Sequence, residues 1–361
     1  MKKSKRTYII AEAGVNHNGS IDMAKQLIDA AADAGADAVK FQTFKAETLV
    51  SASAPKAHYQ KIATGEDESQ LKMLRKLELD EASHHELEIH CRLRKIQFLS
   101  TPFDEDCIEM LVKRIKVPFL KIPSGEITNG PLLLKAAQTK KPIILSTGMS
   151  TLSEIREALG LFAFGYTCKN ETPSLVAFRK AYRSKTGQRA LKANVTLLHC
   201  TTAYPAPFTD VNLCAMDGMR IAFGLPVGFS DHTQGIAIAI AAAALGSSII
   251  EKHFTLDRNL SGPDHRASIE PDELCRMVQS IREVEAALGS KKKAPAQSEL
   301  KNLAIARKSL VATQHISRGE LFTEKNLSCK RPGTGASPLT YWKMLGKKAC
   351  KHYRRDEMIK A

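Results

Sequence analysis

Long apolar runs are missing from this chain of 361 residues. After Met1-Lys2-Lys3-Ser4-Lys5-Arg6 the first apolar run is cut at Glu12. That is too short for a signal core or a membrane span, so the expectation is a cytoplasmic protein without a membrane partner. Tryptophan occurs once and aromatics make up 6% of residues. No basic segment is interleaved with aromatics and no zinc-finger spacing occurs, which argues against a nucleic-acid-binding module. Eight cysteines are scattered with no C-x-x-C pair. That pattern fits reduced thiols better than a disulfide framework. No G-x-G-x-x-G follows the first strand-like run, which disfavours a dinucleotide-binding doubly wound sheet.

What is present is charge, unevenly placed. Residues 291–361 hold 17 Lys/Arg against 5 Asp/Glu, so +12 of the formal +15 lies in the last fifth of the chain. This is either a solvated basic surface or one that faces an anion.

Before that segment, short β-like runs alternate with helical patterns. The runs are Tyr8–Ala11, Ala38–Phe41, Gln97–Ser100, Phe119–Ile122, Ile143–Ser146, Val195–His199, Val227–Ser230 and Ile249–His253. Ser20 is placed to cap a helix burying Ile21, Ala24, Leu27, Ile28 and Ala31, with Gly35 as its stop. Further helices are expected at Ile236–Leu245 and Pro271–Leu288. Eight such units predict a closed (β/α)8 barrel over residues 1–288, an α/β fold, with an open doubly wound sheet as the alternative. The stretch 43–79 reads as a long polar loop, too long for a plain connector. The basic polar stretch 166–192 reads as an excursion between the fifth and sixth units. Residues 289–300, Gly-Ser-Lys-Lys-Lys-Ala-Pro-Ala-Gln-Ser-Glu-Leu, have the composition of a linker. Residues 301–361 then form a small β-rich domain, marginal on its own and expected to dock on another surface.

In a βα-barrel, reactive groups come from the C-terminal strand ends. Here those ends deliver Glu12, Lys40, Thr101, Lys121 with Ser124 and Glu126, Ser146, Thr202 with Tyr204, Ser230, His232 and His253. Two ammonium groups among several hydroxyls describe a pocket for a phosphate and a carboxylate. A strand lysine can equally serve as the ion-pair partner of a neighbouring carboxylate. His232 and His253 end adjacent strands and can share one divalent ion, with water and substrate as its other ligands. Glu12 and Glu126 are acid/base candidates or structural partners of the lysines.

Taken in order, several stretches resemble the bacterial sialic acid synthase family, the N-acetylneuraminate and legionaminate synthases. They are Ala11–Gly19, Val39–Thr43, Ser100–Phe103, Lys121–Glu126, Leu145–Met149, Leu198–Thr201, Ser230–Thr233, Glu251–Thr255 and Gly262–Asp264. Lys330–Gly335 resembles the mark of that family's C-terminal antifreeze-like SAF domain, a β-clip. The resemblance implies a TIM-barrel synthase that condenses phosphoenolpyruvate with an N-acetylated amino-sugar aldehyde. It implies Mn²⁺ or Mg²⁺ on His232 and His253. It implies phosphoenolpyruvate on Lys40, Thr101, Lys121, Ser124, Ser146, Thr202 and Ser230, with threonine at 202 where some members carry asparagine. Tyr204, Asp264 and Arg331 would face the sugar. Glu12 and Glu126 would be catalytic, and the SAF domain would cover a partner's barrel in a domain-swapped homodimer. Octulosonate-phosphate-type synthases are the rival enzyme reading.

Overall fold

The computed structural model describes residues 6–57, 60–61 and 68–360. The chain divides into two compact units, Met1–Gly289 and Ser290–Ala361.

The first unit carries eight parallel strands. They are β1 (Tyr8–Gly14), β2 (Ala38–Thr43), β3 (Gln97–Pro102), β4 (Leu120–Ile122), β5 (Ile143–Ser146), β6 (Val195–Cys200), β7 (Val227–Asp231) and β8 (Ile249–His253). Their order, β3-β2-β1-β8-β7-β6-β5-β4, brings the first strand beside the last, and β3 packs beside β4 across the remaining seam. The result is the predicted (β/α)8 barrel. Helices intervene at each step because the sequence caps them locally. Ser20 accepts from the Met23 amide to start Ile21–Asp33, whose buried face is Ala24, Leu27, Ile28 and Ala31. Thr151 and Glu154 form a reciprocal capping box at the start of Leu152–Thr167.

Alternation along each strand sorts side chains by destination. Outward residues such as Ile9, Val39, Phe41, Phe98, Leu145, Leu197 and Phe229 join the helices in the main core. Inward residues form stacked layers. The lowest is aliphatic: Ile10, Ala38, Leu99, Ile144, Leu198 and Ile249, with Phe119 packed against them. On β7 this place belongs to Gly228. A Cβ there would come within 2.5 Å of Leu198 Cδ2 and 2.6 Å of the Ile249 carbonyl, so the layer closes only around glycine.

Residues 166–192 lie between β5 and β6 and are largely helical, and the stretch 43–79 is not the single loop expected of it. Leu175–Arg183 and Lys185–Asn194, capped by Ser174 and Ser184, pack on the helix Leu152–Thr167. The stretch 43–79 contains the helices Ala46–Leu49 and Gln70–Arg75. Phe44, Ala46, Met73, Leu74 and Leu77 form a small cluster there with Val15. Residues 58–59 and 62–67 of this stretch lie outside the described residues.

The second unit pairs β9 (Ser309–Ala312) antiparallel with β10 (Leu327–Lys330). Bridges Val311–Met358, Ile316–Tyr353 and Leu321–Lys348 extend the β structure. Leu310, Ile316, Phe322, Leu327, Tyr353 and Ile359 lie in its core.

Candidate active site

Two residues above the aliphatic layer, every strand contributes to a second inward layer. Its members are Glu12, Lys40, Thr101, Lys121, Ser146, Cys200, Ser230 and Glu251. All eight are buried. Polar groups this deep persist only when they answer one another, and most do. Lys40 Nζ lies 2.6 Å from Glu12 Oε2 and 3.7 Å from Glu251 Oε2. It also donates to Thr101 Oγ1 at 2.9 Å. Lys121 Nζ lies 3.0 Å from Glu251 Oε1, and the Ser230 hydroxyl donates to the same oxygen at 3.0 Å. Glu251 is therefore the hub of the layer.

The charges divide unequally. Burial pushes the Glu12 carboxyl up, and Glu251 adds to this, while Lys40 pulls it down without prevailing. Burial pushes Glu251 up as well, but Lys121 and Lys40 outweigh it and hold Glu251 below the usual carboxylate range. Lys121 is drawn down by burial despite Glu251. In Lys40 burial acts the same way, yet Glu12 and Glu251 carry its pKa above the ordinary lysine value. Lys40 and Lys121 thus stand in one buried layer with the hydroxyls of Thr101, Ser146 and Ser230. Ammonium and hydroxyl groups converging in this way suit an anionic substrate.

Two residues higher again lie Gly14, Gln42, Gly148, Thr202, His232 and His253. A Cβ on Gly148 would sit 2.2 Å from Thr202 Oγ1, 2.8 Å from Cys200 Sγ and 2.9 Å from Ser124 Oγ, so glycine is what lets the three meet. Ser124 Oγ accepts from the Gly148 amide at 2.9 Å and lies 3.1 Å from Cys200 Sγ.

The two histidines are neighbours, with ring centroids 5.7 Å apart. Tyr204 lies against both, at 4.3 Å from His232 and 5.7 Å from His253. His232 Nδ1 bonds the Thr201 carbonyl at 2.7 Å, so Nδ1 carries the proton and Nε2 keeps its lone pair. Burial lowers the pKa of both rings, and in His253 His232 adds to the effect. Neutral imidazole is the metal-ligating form. Among the described residues no group of three or more His, Cys, Asp or Glu is arranged to hold a metal. The pair offers two protein ligands at most, so a cation held there would draw its other ligands from water or substrate.

Among the described residues of these layers, Ser146 Oγ and His253 Nδ1 are buried without a hydrogen-bond partner. Such orphans are costly unless something else binds them.

The remaining expected residues stand apart from these layers. Glu126 lies in the turn Ser124–Glu126 after β4, and its Oε2 accepts from Asn129 Nδ2 at 2.7 Å. Asp264 follows β8, is buried, and is pushed up to about 6 by burial. Arg331 is an exposed residue of the second unit. His199, read as the end of the sixth strand, points outward and bonds the Val211 carbonyl at 2.7 Å; Cys200 takes the inward place. Glu251 and Cys200 were missed by strand-end reading. Lys252, between Glu251 and His253, faces out and is clamped by Asp231 at 2.9 Å.

The family model described as "NeuB family" matches residues 27–293, and the model for the SAF domain matches 307–361. The chain belongs to the NeuB family. A Campylobacter jejuni relative, N,N'-diacetyllegionaminic acid synthase, is 52% identical over 99% of both chains. A Legionella pneumophila protein of the same name is 45% identical, covering 92% of this chain and 87% of its own. The crystal structure of the N-acetylneuraminic acid synthetase of Leptospira borgpetersenii, in complex with citrate, superposes with a TM-score of 0.66 at 34% identity. The match covers 82% of this chain and 90% of that one. In this NeuB-family chain the matched residues take in β2 to β8 and thus both inward polar layers apart from Glu12 and Gly14, and the small β unit is a SAF domain.

Proposed function

We propose that this chain is a cytoplasmic, metal-dependent synthase of the legionaminate type. It joins phosphoenolpyruvate and water to 2,4-diacetamido-2,4,6-trideoxymannose and releases phosphate. The observation that carries the reading is the buried layer centred on Glu251, in which two lysines and several hydroxyls converge inside an apolar wall. The diacetamido sugar is preferred to N-acetylmannosamine because the relatives named for diacetyllegionaminate are 52% and 45% identical to this chain, against 34% for the N-acetylneuraminic acid synthetase.

Phosphoenolpyruvate is a multiply charged anion. Lys40 and Lys121 supply its counter-charge, and Thr101, Ser124, Ser146, Thr202 and Ser230 supply hydroxyl contacts to its carboxylate and phosphate. Holding the anion against one face of the aldehyde removes orientational freedom from the barrier. C3 of the enolpyruvate forms the new carbon–carbon bond, water adds at C2, and the C2–O bond to phosphate breaks, leaving the keto acid. Glu12, kept partly protonated by burial, exchanges the proton of the attacking water. Glu126 exchanges the proton of the substrate, and its bond to Asn129 fixes its position. His232 and His253 fit a divalent ion, Mn²⁺ or Mg²⁺, by their neutral rings and the unpartnered His253 Nδ1. When bound, that ion supplies Lewis acidity toward the aldehyde oxygen. Tyr204 and Asp264 face the sugar. In a homodimer with exchanged SAF domains, Arg331 reaches the sugar's acyl group on the other copy's barrel.

The test is phosphate release with each aldehyde at matched phosphoenolpyruvate. The expected result is a kcat/KM at least about tenfold higher for the diacetamido sugar, the discrimination roughly 1.4 kcal/mol provides. Preference for N-acetylmannosamine would move the assignment to N-acetylneuraminate. Phosphate release with neither would end the synthase reading.

A further inference from the structure

The segment 166–192 has no part in the chemistry above, yet it builds a cavity. The helix Leu175–Arg183 lies across the helix Leu152–Thr167 and leaves a space of about 420 Å³ between them. That size falls within the range of about 300–1,000 Å³ typical of small-molecule sites. The gap is held by close packing. A Cβ on Gly160 would come within 3.2 Å of the Phe178 carbonyl, and the Phe178 ring stands edge-on to Phe164 at 5.1 Å.

Three kinds of recognition chemistry line this one space. Phe178 and Tyr182, one helical turn apart, supply aromatic rings. Arg179 and Arg183, also one turn apart, supply guanidinium groups. Arg179 is only loosely paired, 3.9 Å from Glu157, and among the described residues Arg183 forms no ion pair. Glu154 and Glu157 supply carboxylate oxygens, of which Glu154 Oε2 is engaged by Thr151. A flat ring to stack, a phosphate for the arginines and a diol for a carboxylate are the parts of a nucleotide.

We infer that this cavity is an effector site for a nucleoside monophosphate. Its walls reach the catalytic face by two routes. Ile127 and Thr128, which line it, directly follow the turn Ser124–Glu126. The helix Leu152–Thr167 begins shortly after the Ser146–Gly148 loop. An occupant therefore bears on the supports of Ser124, Ser146 and Gly148.

The experiment is equilibrium dialysis of the full chain with labelled adenosine and cytidine 5′-monophosphates, with inorganic phosphate and the free nucleosides as controls. Phosphoenolpyruvate competition and steady-state kinetics accompany it. The expected result is nucleotide binding that phosphoenolpyruvate does not displace, that weakens at least tenfold in Arg183→Glu and in Tyr182→Ala, and that changes the phosphoenolpyruvate KM. Arg183 is exposed and Tyr182 half-buried against the core, so the two variants guard against a folding defect in either, and thermal unfolding checks both. Four results would overturn the inference: no binding at millimolar nucleotide, equal binding of phosphate alone, binding unchanged by both variants, or binding that leaves kcat and KM untouched. Binding is read without turnover, and its kinetic arm uses whichever aldehyde is accepted. A wrong sugar assignment therefore leaves this test intact.

Discussion

Glu251 Oε1 lies 3.0 Å from Lys121 Nζ, deep in the barrel where both side chains are almost wholly out of water. The other oxygen of this carboxylate is 3.7 Å from Lys40, so Glu251 faces both buried lysines, sharing Lys40 with Glu12. Breaking a buried pair by removing one partner costs about 3–5 kcal/mol, because the charge left behind has no compensation. Glu251→Gln should therefore destabilise the barrel by an amount of that order in urea unfolding. It should lower kcat/KM by roughly a hundredfold or more. Ser230→Ala, which removes one hydrogen bond to the same carboxylate, should cost only about 1 kcal/mol. Equal, small losses in the two variants would show that Glu251 is not the hub.

Ser146 presents the opposite case. Its hydroxyl is buried without a partner, so it costs stability in the free protein. Ser146→Ala should leave unfolding stability unchanged or raise it by up to about 1 kcal/mol, while raising the phosphoenolpyruvate KM several-fold or more. A clear loss of stability with unchanged KM would mean that the hydroxyl serves the fold rather than the substrate.

Asp264 gives a pH signature. Burial pushes its carboxyl up to about 6, against about 4 in the unfolded chain. Between those values the native state binds the proton that the unfolded state has released, so Asp264 lowers stability as pH rises from about 4 to about 6. Above that range the cost is constant, at most about 3 kcal/mol. Asp264→Asn should raise Tm at pH 7.5 and change it little at pH 4. It should also raise the sugar KM more than the phosphoenolpyruvate KM. A Tm gain equal at both pH values would contradict the buried, uncompensated carboxylate.

Much of this site was legible before any coordinates. The eight strands and their helices follow from apolar alternation and caps such as Ser20. Lys40, Lys121, Ser146 and the two histidines follow from reading strand ends. Glu251 escapes a reading that takes only His253 from the eighth strand. It shares its side of β8 with Ile249 and His253, so a two-residue step back from His253 reaches it. Cys200 and His199 exchanged roles for the same reason: ending the sixth strand one residue early inverts which side chain faces in. The helices within 166–192 were hidden by basic composition, although Ser174 and Ser184 stood in capping positions.

The histidine pair makes the last prediction. Its rings are 5.7 Å apart and neutral, and the Thr201 carbonyl sets the tautomer of His232. Fixing one ring nitrogen by a backbone acceptor is what orients an imidazole toward a cation. A ligand that binds only the folded state stabilises it by RT ln(1 + [L]/Kd), about 2.7 kcal/mol at one hundred times Kd. Mn²⁺ should therefore raise the Tm of the wild-type barrel in a concentration-dependent way. His232→Ala should remove most of that shift, because two protein ligands become one. Glu126→Gln, outside the inward layers, should keep it. The readout is thermal unfolding without substrate, so loss of turnover cannot be mistaken for loss of metal. An Mn²⁺ shift that survives in both His232→Ala and His253→Ala would place the cation elsewhere in the molecule.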